Sequence, residues 1–292
     1  MPASDAALGH ALSQGWETLS VLRRSQLYVP GNMERMIKKS RLLGADSIIL
    51  DLEDAVPAGQ KEKARALVSK SVSEVEWGKR ELCVRINSPS SRQGRADIAR
   101  LGSLDRLDTF VIPKAEGDLS SIHRSTGKRL VPIIETAKGL LGIELVTGSE
   151  GVDAVTYGAA DFALSVAGLV SEYLENVYVK TKIVVAARAV GIDPIDNVFF
   201  DLKDTSGFEK SVGQARALGF SGKQVVHPSQ IRAVNRVFSP TREEVKWARN
   251  VLGAYDKSSR RGKGAIVLEG ALVDEVHRKL AKRILDDSST AD

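Results

Sequence analysis

One cysteine in 292 residues excludes an intramolecular disulfide. Cys83 lies inside the apolar stretch Leu82-Cys83-Val84, where a thiol is an inert core group, and that usage fits a reducing cytosol. No uninterrupted apolar run approaches the ~20 residues of a membrane span. Residues 1–22 lack a basic start and an apolar signal core, so secretion is not expected; their Ala, Ser and Gly content suggests a flexible N-terminal arm. The net charge of +5 is dispersed over the chain and no recognised nucleic-acid-binding signature accompanies it, which argues against a nucleic-acid partner. A local excess of Lys and Arg suits a phosphorylated small molecule better. No glycine-rich dinucleotide fingerprint follows the first apolar run.

What is present is alternation. The composition, 42% hydrophobic and 27% charged, is that of a globular protein able to bury a substantial core. Short apolar runs predict strands at Ser25 to Val29, Ser47 to Leu50, Leu82 to Ile86, Thr109 to Ile112, Leu130 to Ile134, Ala154 to Tyr157, Ile195 to Phe199 and Gln224 to Val226. Between them, helical patterns run from Met33 to Leu43 with Asn32 as N-cap, Lys61 to Val72, Gly139 to Val146, Val177 to Val190 and Phe208 to Leu218. Gly44, Gly148, Gly191 and Gly219 read as C-terminal stops. Eight strand-helix units in this length predict an α/β fold, a (β/α)8 TIM barrel over residues 23–240. Residues 241–292 then form a C-terminal helical extension.

In that barrel, chemistry gathers at the carboxyl ends of the strands. Polar residues stand there almost every time: Asp51 to Asp54, Arg85, Lys114, Glu135, Asp161, Asp201 and His227. Glu135 and Asp161 each follow an apolar run, and a carboxylate leaving a buried strand needs a partner or a cation. Two such oxygen donors suit Mg2+, with water and substrate completing its shell.

At these residues the chain resembles a known family. Leu27-Tyr28-Val29-Pro30-Gly31-Asn32, Ile49 to Pro57 with Lys63-Ala64-Arg65, Val84-Arg85-Ile86-Asn87, Ile112-Pro113-Lys114, Ile133 to Ala137, Gly158 to Asp161, Gly222-Lys223 and Val226 to Ile231 resemble the citrate lyase beta subunit-like family, in the HpcH/HpaI aldolase and citrate lyase superfamily. The likeness runs from about Arg24 to the last helix. It implies a Mg2+-dependent barrel that makes or breaks a carbon-carbon bond between an acyl-CoA enolate and a 2-oxo acid. Glu135 and Asp161 match the family's metal ligands and Arg85 its substrate-binding arginine. Leu268 to Asp274 with the helix from Glu275 resembles the lid of the CoA-lyase branch, in which Asp274 matches a catalytic aspartate delivered to the neighbouring subunit. The family often has proline two residues after that aspartate; Val276 stands here.

Bland roles remain open beside these. Arg85 could form a structural ion bridge with Glu53 or Asp54, which as adjacent strand-end acids are expected to point opposite ways. One of those two acids would orient Arg85 and the other cap a helix. Lys114 meets substrate or CoA phosphate, or is simply solvated. His227 binds substrate or caps a turn, and Asp274 is equally suited to an N-cap. The expectation is a cytoplasmic homo-oligomer, trimer or hexamer, that cleaves malyl-CoA, citramalyl-CoA or a related 3-hydroxyacyl-CoA. The alternatives are the citryl-CoA-cleaving beta subunit of a citrate lyase complex and a catalytically weak, CoA-ester-binding regulatory barrel.

Overall fold

The computed structural model describes residues 21–259, 265–268 and 270–290. The arm expected at 1–22 lies outside them except for its last two residues, as do Gly262 to Gly264 and Glu269 of the lid motif. The chain divides into two compact units between Asn235 and Arg236.

The first unit is a closed barrel of parallel strands: β1 (Ser25–Pro30), β2 (Ser47–Asp51), β3 (Glu81–Arg85), β4 (Thr109–Ile112), β5 (Arg129–Ile134), β6 (Ala154–Tyr157), β7 (Asp193–Asp196) and β8 (Gly222–Val225). Each pairs with the next, and β8 closes on β1 through Ser25↔Lys223, Gln26↔Gln224 and Leu27↔Val225. The intervening helices are α1 (Glu34–Ser40), α2 (Lys61–Glu74), α3 (Arg92–Leu101), α4 (Ser120–Thr126), α5 (Ala137–Leu141), α6 (Ile143–Thr147), α7 (Ala159–Ser165), α8 (Val170–Leu174), α9 (Val177–Ala189), α10 (Thr205–Leu218) and α11 (Pro228–Phe238). Among the described residues no helix is long and apolar enough to cross a membrane.

Strand side chains alternate between the barrel interior and the helical layer. Ile49, Cys83, Val111, Val131, Ile133, Ala154 and Ile195 form the inner cluster, with Tyr28 packed against it. Burial raises the Cys83 thiol well above its usual range, which keeps it protonated and inert. The buried charges on the strands are paired. Asp196 and Lys223, neighbours in register on β7 and β8, are both shielded from solvent. Lys223 donates to Asp196 at 2.5 Å and Lys180 of α9 lies 3.0 Å from the same carboxylate. At the opposite end of the barrel, Arg23 clamps Glu81 through Nε and Nη2 at 2.9 and 2.7 Å, and Ser47 and Thr109 donate to the same carboxylate.

Several boundaries differ from expectation for local reasons. β7 begins earlier and ends at Asp196 because the ladder stops there, so Val198 and Phe199 lie in the loop beyond. β8 begins at Gly222, where a Cβ would stand 1.9 Å from the Arg23 carbonyl oxygen, and includes the charged Lys223 that its pairing with Asp196 allows. Gly142 divides the helix expected from Gly139 to Val146 into α5 and α6. Asn32 does not cap α1; its amide donates to Gln60, and Met33 holds the N-cap position. Helix α1 ends at Ser40, short of Gly44, and Gly148 has right-handed geometry. Gly219 is a left-handed cap, φ +100°, as the stop signal predicts.

The second unit joins α12 (Arg242–Ser259) and α13 (Glu275–Thr290) to an antiparallel pair, β9 (Ile266–Leu268) and β10 (Ala271–Val273). Ala248, Val251, Tyr255, Val273 and Ala281 make its core.

Candidate active site

A cavity of about 400 Å³ opens at the carboxyl ends of the strands, lined by residues that include Tyr28, Asp51, Asp54, Arg85, Glu135, Asp161 and Asn197. Strand parity explains much of this lining. Asp51 stands two residues past Ile49, Arg85 two past Cys83, Glu135 two past Ile133 and Asn197 two past Ile195, so each continues an inward-facing row into the mouth.

Arg85 is gripped rather than free. Its Nε and Nη2 donate to Asp51 at 2.7 and 2.5 Å, and Nη1 lies 3.2 Å from Glu53 and 3.4 Å from Asp54. Its Cζ stands 4.9 Å from the centre of the Tyr28 ring, a cation-π contact. The ion bridge is therefore real, but its main partner is Asp51, a strand-end acid given no separate role from the sequence. The available signal was register: Asp51 pairs with Arg85 across β2 and β3. Asp51 also accepts from the backbone N–H groups of Glu53 and Ala55, which folds the turn. That turn corrects the expectation for Glu53 and Asp54. Strand alternation does not reach beyond Asp51, so both acids approach the same Arg85 nitrogen, and neither caps α2, whose N-cap is Gln60.

Glu135 is 3% exposed, and its Oε1 accepts from the Lys114 backbone N–H at 2.7 Å. Burial, then the charge of Glu53 and that of Asp161, push its carboxyl up to about 8 despite the Lys114 N–H and Arg85. Burial likewise lifts Glu53 to about 7, against the pull of Arg85, and its Oε2 accepts no hydrogen bond. Gly158 lets Glu135 sit there: a Cβ at that position would stand 2.5 Å from Oε2. Lys114 is left-handed, φ +51°, an uncommon state for a side-chain-bearing residue. Its side chain is 49% exposed, with the ammonium 3.9 Å from Glu53, and is outside the cavity lining, so its structural contribution is the amide on Glu135.

Five carboxylates, Asp51, Glu53, Asp54, Glu135 and Asp161, stand with three cations, Arg85, Lys61 and Lys114. When all are ionised two negative charges are left over, which a divalent ion would balance. Among the described residues no three His, Cys, Asp or Glu side chains form a ready-made metal cage. The donor set fits Mg2+ nonetheless, since that ion keeps several waters and takes only one or two protein carboxylates.

Two further expected site residues are held by local contacts. His227 is exposed and absent from the cavity lining; its Nδ1 bonds the Ser229 hydroxyl and amide, a turn cap at the start of α11. Asp274 belongs to the second unit, where its Oδ1 accepts from the Val276 and His277 N–H groups and contacts His277 Nδ1 at 2.8 Å. Asp274 is thus an N-cap of α13, and the hydrogen bonds from His277 hold its carboxyl below the usual range. No described residue bonds its Oδ2.

The family model for HpcH/HpaI aldolase/citrate lyase matches residues 24–228. The mitochondrial citramalyl-CoA lyase of Rattus norvegicus is 36% identical, over 93% of this chain and 88% of its own. A (3S)-malyl-CoA thioesterase of Cereibacter sphaeroides is 33% identical, over 90% and 93%. The crystal structure of CitE from Mycobacterium tuberculosis, in complex with magnesium, acetoacetate and coenzyme A, superposes with a TM-score of 0.77 at 28% identity, covering 91% of this chain and 98% of that one.

Proposed function

Because the chain belongs to the HpcH/HpaI aldolase/citrate lyase family and is a carbon-carbon lyase of CoA esters, we propose that it cleaves or forms a 3-hydroxyacyl-CoA such as citramalyl-CoA or malyl-CoA, with Mg2+ as cofactor. The products in the cleavage direction are acetyl-CoA, or a related acyl-CoA, and pyruvate or glyoxylate. The observation that carries this reading is that one cavity brings together Arg85, Glu135 and Asp161. Glu135 and Asp161 would hold Mg2+, which when bound supplies Lewis-acid polarisation of the oxo-acid oxygens.

The chain's own groups account for the remaining steps. In cleavage the 3-hydroxyl gives up its proton, its oxygen becomes the oxo group and the carbon-carbon bond breaks. The released electron pair forms the thioester enolate, which takes a proton on carbon. Arg85, oriented by Asp51, holds a carboxylate or enolate oxygen. The Oδ2 of Asp274, which no described residue bonds, is suited to exchange the proton at the acetyl carbon. On the lid reading it does so in a neighbouring subunit, which needs a homo-oligomer, trimer or hexamer. Exposed apolar residues flanking the barrel mouth, Leu164, Leu169, Tyr178 and Phe200, favour such association. Cytoplasmic placement belongs to the same proposal.

The test is incubation of purified protein and Mg2+ with malyl-, citramalyl- and citryl-CoA, following glyoxylate, pyruvate and oxaloacetate separately from free CoA. Citryl-CoA turnover alone would establish the citrate lyase subunit reading. Free CoA without an oxo acid would indicate thioester hydrolysis. Binding of the esters with no product would leave the regulatory barrel.

A further inference from the structure

In the sequence Tyr28 is one residue of the Leu27 to Asn32 motif, yet the barrel places it beneath the chemistry. It projects inward from β1, packs on the inner cluster and lines the cavity, with Arg85 over its ring. Gln224, its diagonal neighbour across the β8–β1 closure, lies in hydrogen-bonding contact with the phenol. Burial dominates over that contact and raises the phenol above its ordinary value, so the group keeps its proton.

Arg85 alone is a poor stabiliser of new negative charge. Asp51, Glu53 and Asp54 already surround its guanidinium, and few of its five N–H groups remain for a ligand. A neutral donor beside it adds hydrogen-bonding capacity to a carboxylate-rich cavity without adding charge. We propose that Tyr28 is a catalytic residue: its phenolic O–H donates to the substrate oxygen that Arg85 holds, so that the pair stabilises the enolate as the carbon-carbon bond breaks. The phenol keeps its proton throughout; the hydroxyl proton leaves to a base and the enolate is protonated on carbon by a separate acid. This assignment rests on the lyase reading above.

Tyr28→Phe separates the phenol from the ring, because phenylalanine retains the stacking surface under Arg85. Wild type, Tyr28→Phe and Tyr28→Leu are assayed with Mg2+ on the preferred CoA ester, with acyl-CoA and oxo-acid affinities measured by calorimetry. Loss of one donor to a developing oxyanion lowers kcat about 100-fold, so that fall is expected for Tyr28→Phe, with KM and both affinities changed less than about threefold. Tyr28→Leu is expected to raise KM as well, since Arg85 loses its support. Wild-type kcat in Tyr28→Phe would overturn the inference even if Tyr28→Leu is impaired, because the ring alone would then matter. A wild-type protein inactive on every ester would instead remove the lyase reading itself.

Discussion

Glu135 carries two opposed demands. In the proposed role of metal ligand it must be ionised, yet burial and the neighbouring Glu53 and Asp161 favour its protonated form and raise it to about 8. The sign of the pH dependence follows. A carboxyl raised in the folded state binds its proton more tightly there than in the unfolded chain. Its favourable contribution is complete below its ordinary value of 4.5 and is lost as pH rises toward 8. Glu135→Gln keeps an acceptor for the Lys114 N–H and removes the charge. Without added metal this variant should melt at a higher temperature than wild type at pH 8, with the gap shrinking toward pH 5, and calorimetry should detect no Mg2+ binding. Equal melting curves at pH 8 would show that Glu135 carries no such penalty. Arg85 and Glu135 were legible because strand-end polar residues in a barrel point to one face. Asp51 was passed over because its importance lies in register with Arg85, which strand boundaries alone do not reveal.

At the scale of elements, the turn from β6 into α7 sets the side of the cavity where Glu135 and Asp161 stand. Gly158 is there for space rather than backbone freedom, since its φ is −103°. A methyl group at that position would meet the Glu135 carboxylate at 2.5 Å, and either the side chain or the turn would have to move. Gly158→Ala should therefore leave the far-ultraviolet circular dichroism intact and weaken Mg2+ binding at least about tenfold, given how strictly Mg2+ demands its geometry. Wild-type affinity in that variant would show that Glu135 is not held where the turn places it. Helices were less readable than strands here. Their ends depend on caps: Gly219 announces one in the sequence, whereas Gly142 splits a helical pattern without any change in apolar periodicity. Glu53 and Asp54 were misread for a related reason, because the alternation rule holds only while the ladder continues.

On the scale of the whole molecule, the barrel is tied at its far end by Arg23, Glu81, Ser47 and Thr109. Burial alone would raise Glu81, but the contacts with Arg23, Ser47 and Thr109 outweigh it and hold the carboxyl down at about 2. That contribution, about 3 kcal/mol for the difference from 4.5, is present above the unfolded value and disappears as pH falls toward 2. Urea denaturation between pH 5 and pH 2 should show a steeper loss of stability in wild type than in Glu81→Gln; parallel slopes would assign acid lability elsewhere. The proposal that Asp274 acts on a neighbouring subunit is tested by mixing. Asp274→Asn and Arg85→Gln, each inactive alone, should regain partial turnover when co-assembled. An absence of rescue in a verified hetero-oligomer would place Asp274 within its own chain or outside the chemistry.

The sequence by itself determined the strand-helix rhythm and the barrel, because short apolar runs alternating with helical patterns are local properties written residue by residue, while the roles expected of Arg85, Glu135 and Asp161 came from a family resemblance. Tertiary structure decided the rest. The turn after β2 brought Asp51, Glu53 and Asp54 onto one arginine, the left-handed Lys114 aimed its amide at Glu135, and closure of β8 on β1 set Gln224 against Tyr28. Each of these depends on groups distant in the chain sharing a space from which water is largely excluded. That proximity decides which charges are matched and which protons are kept.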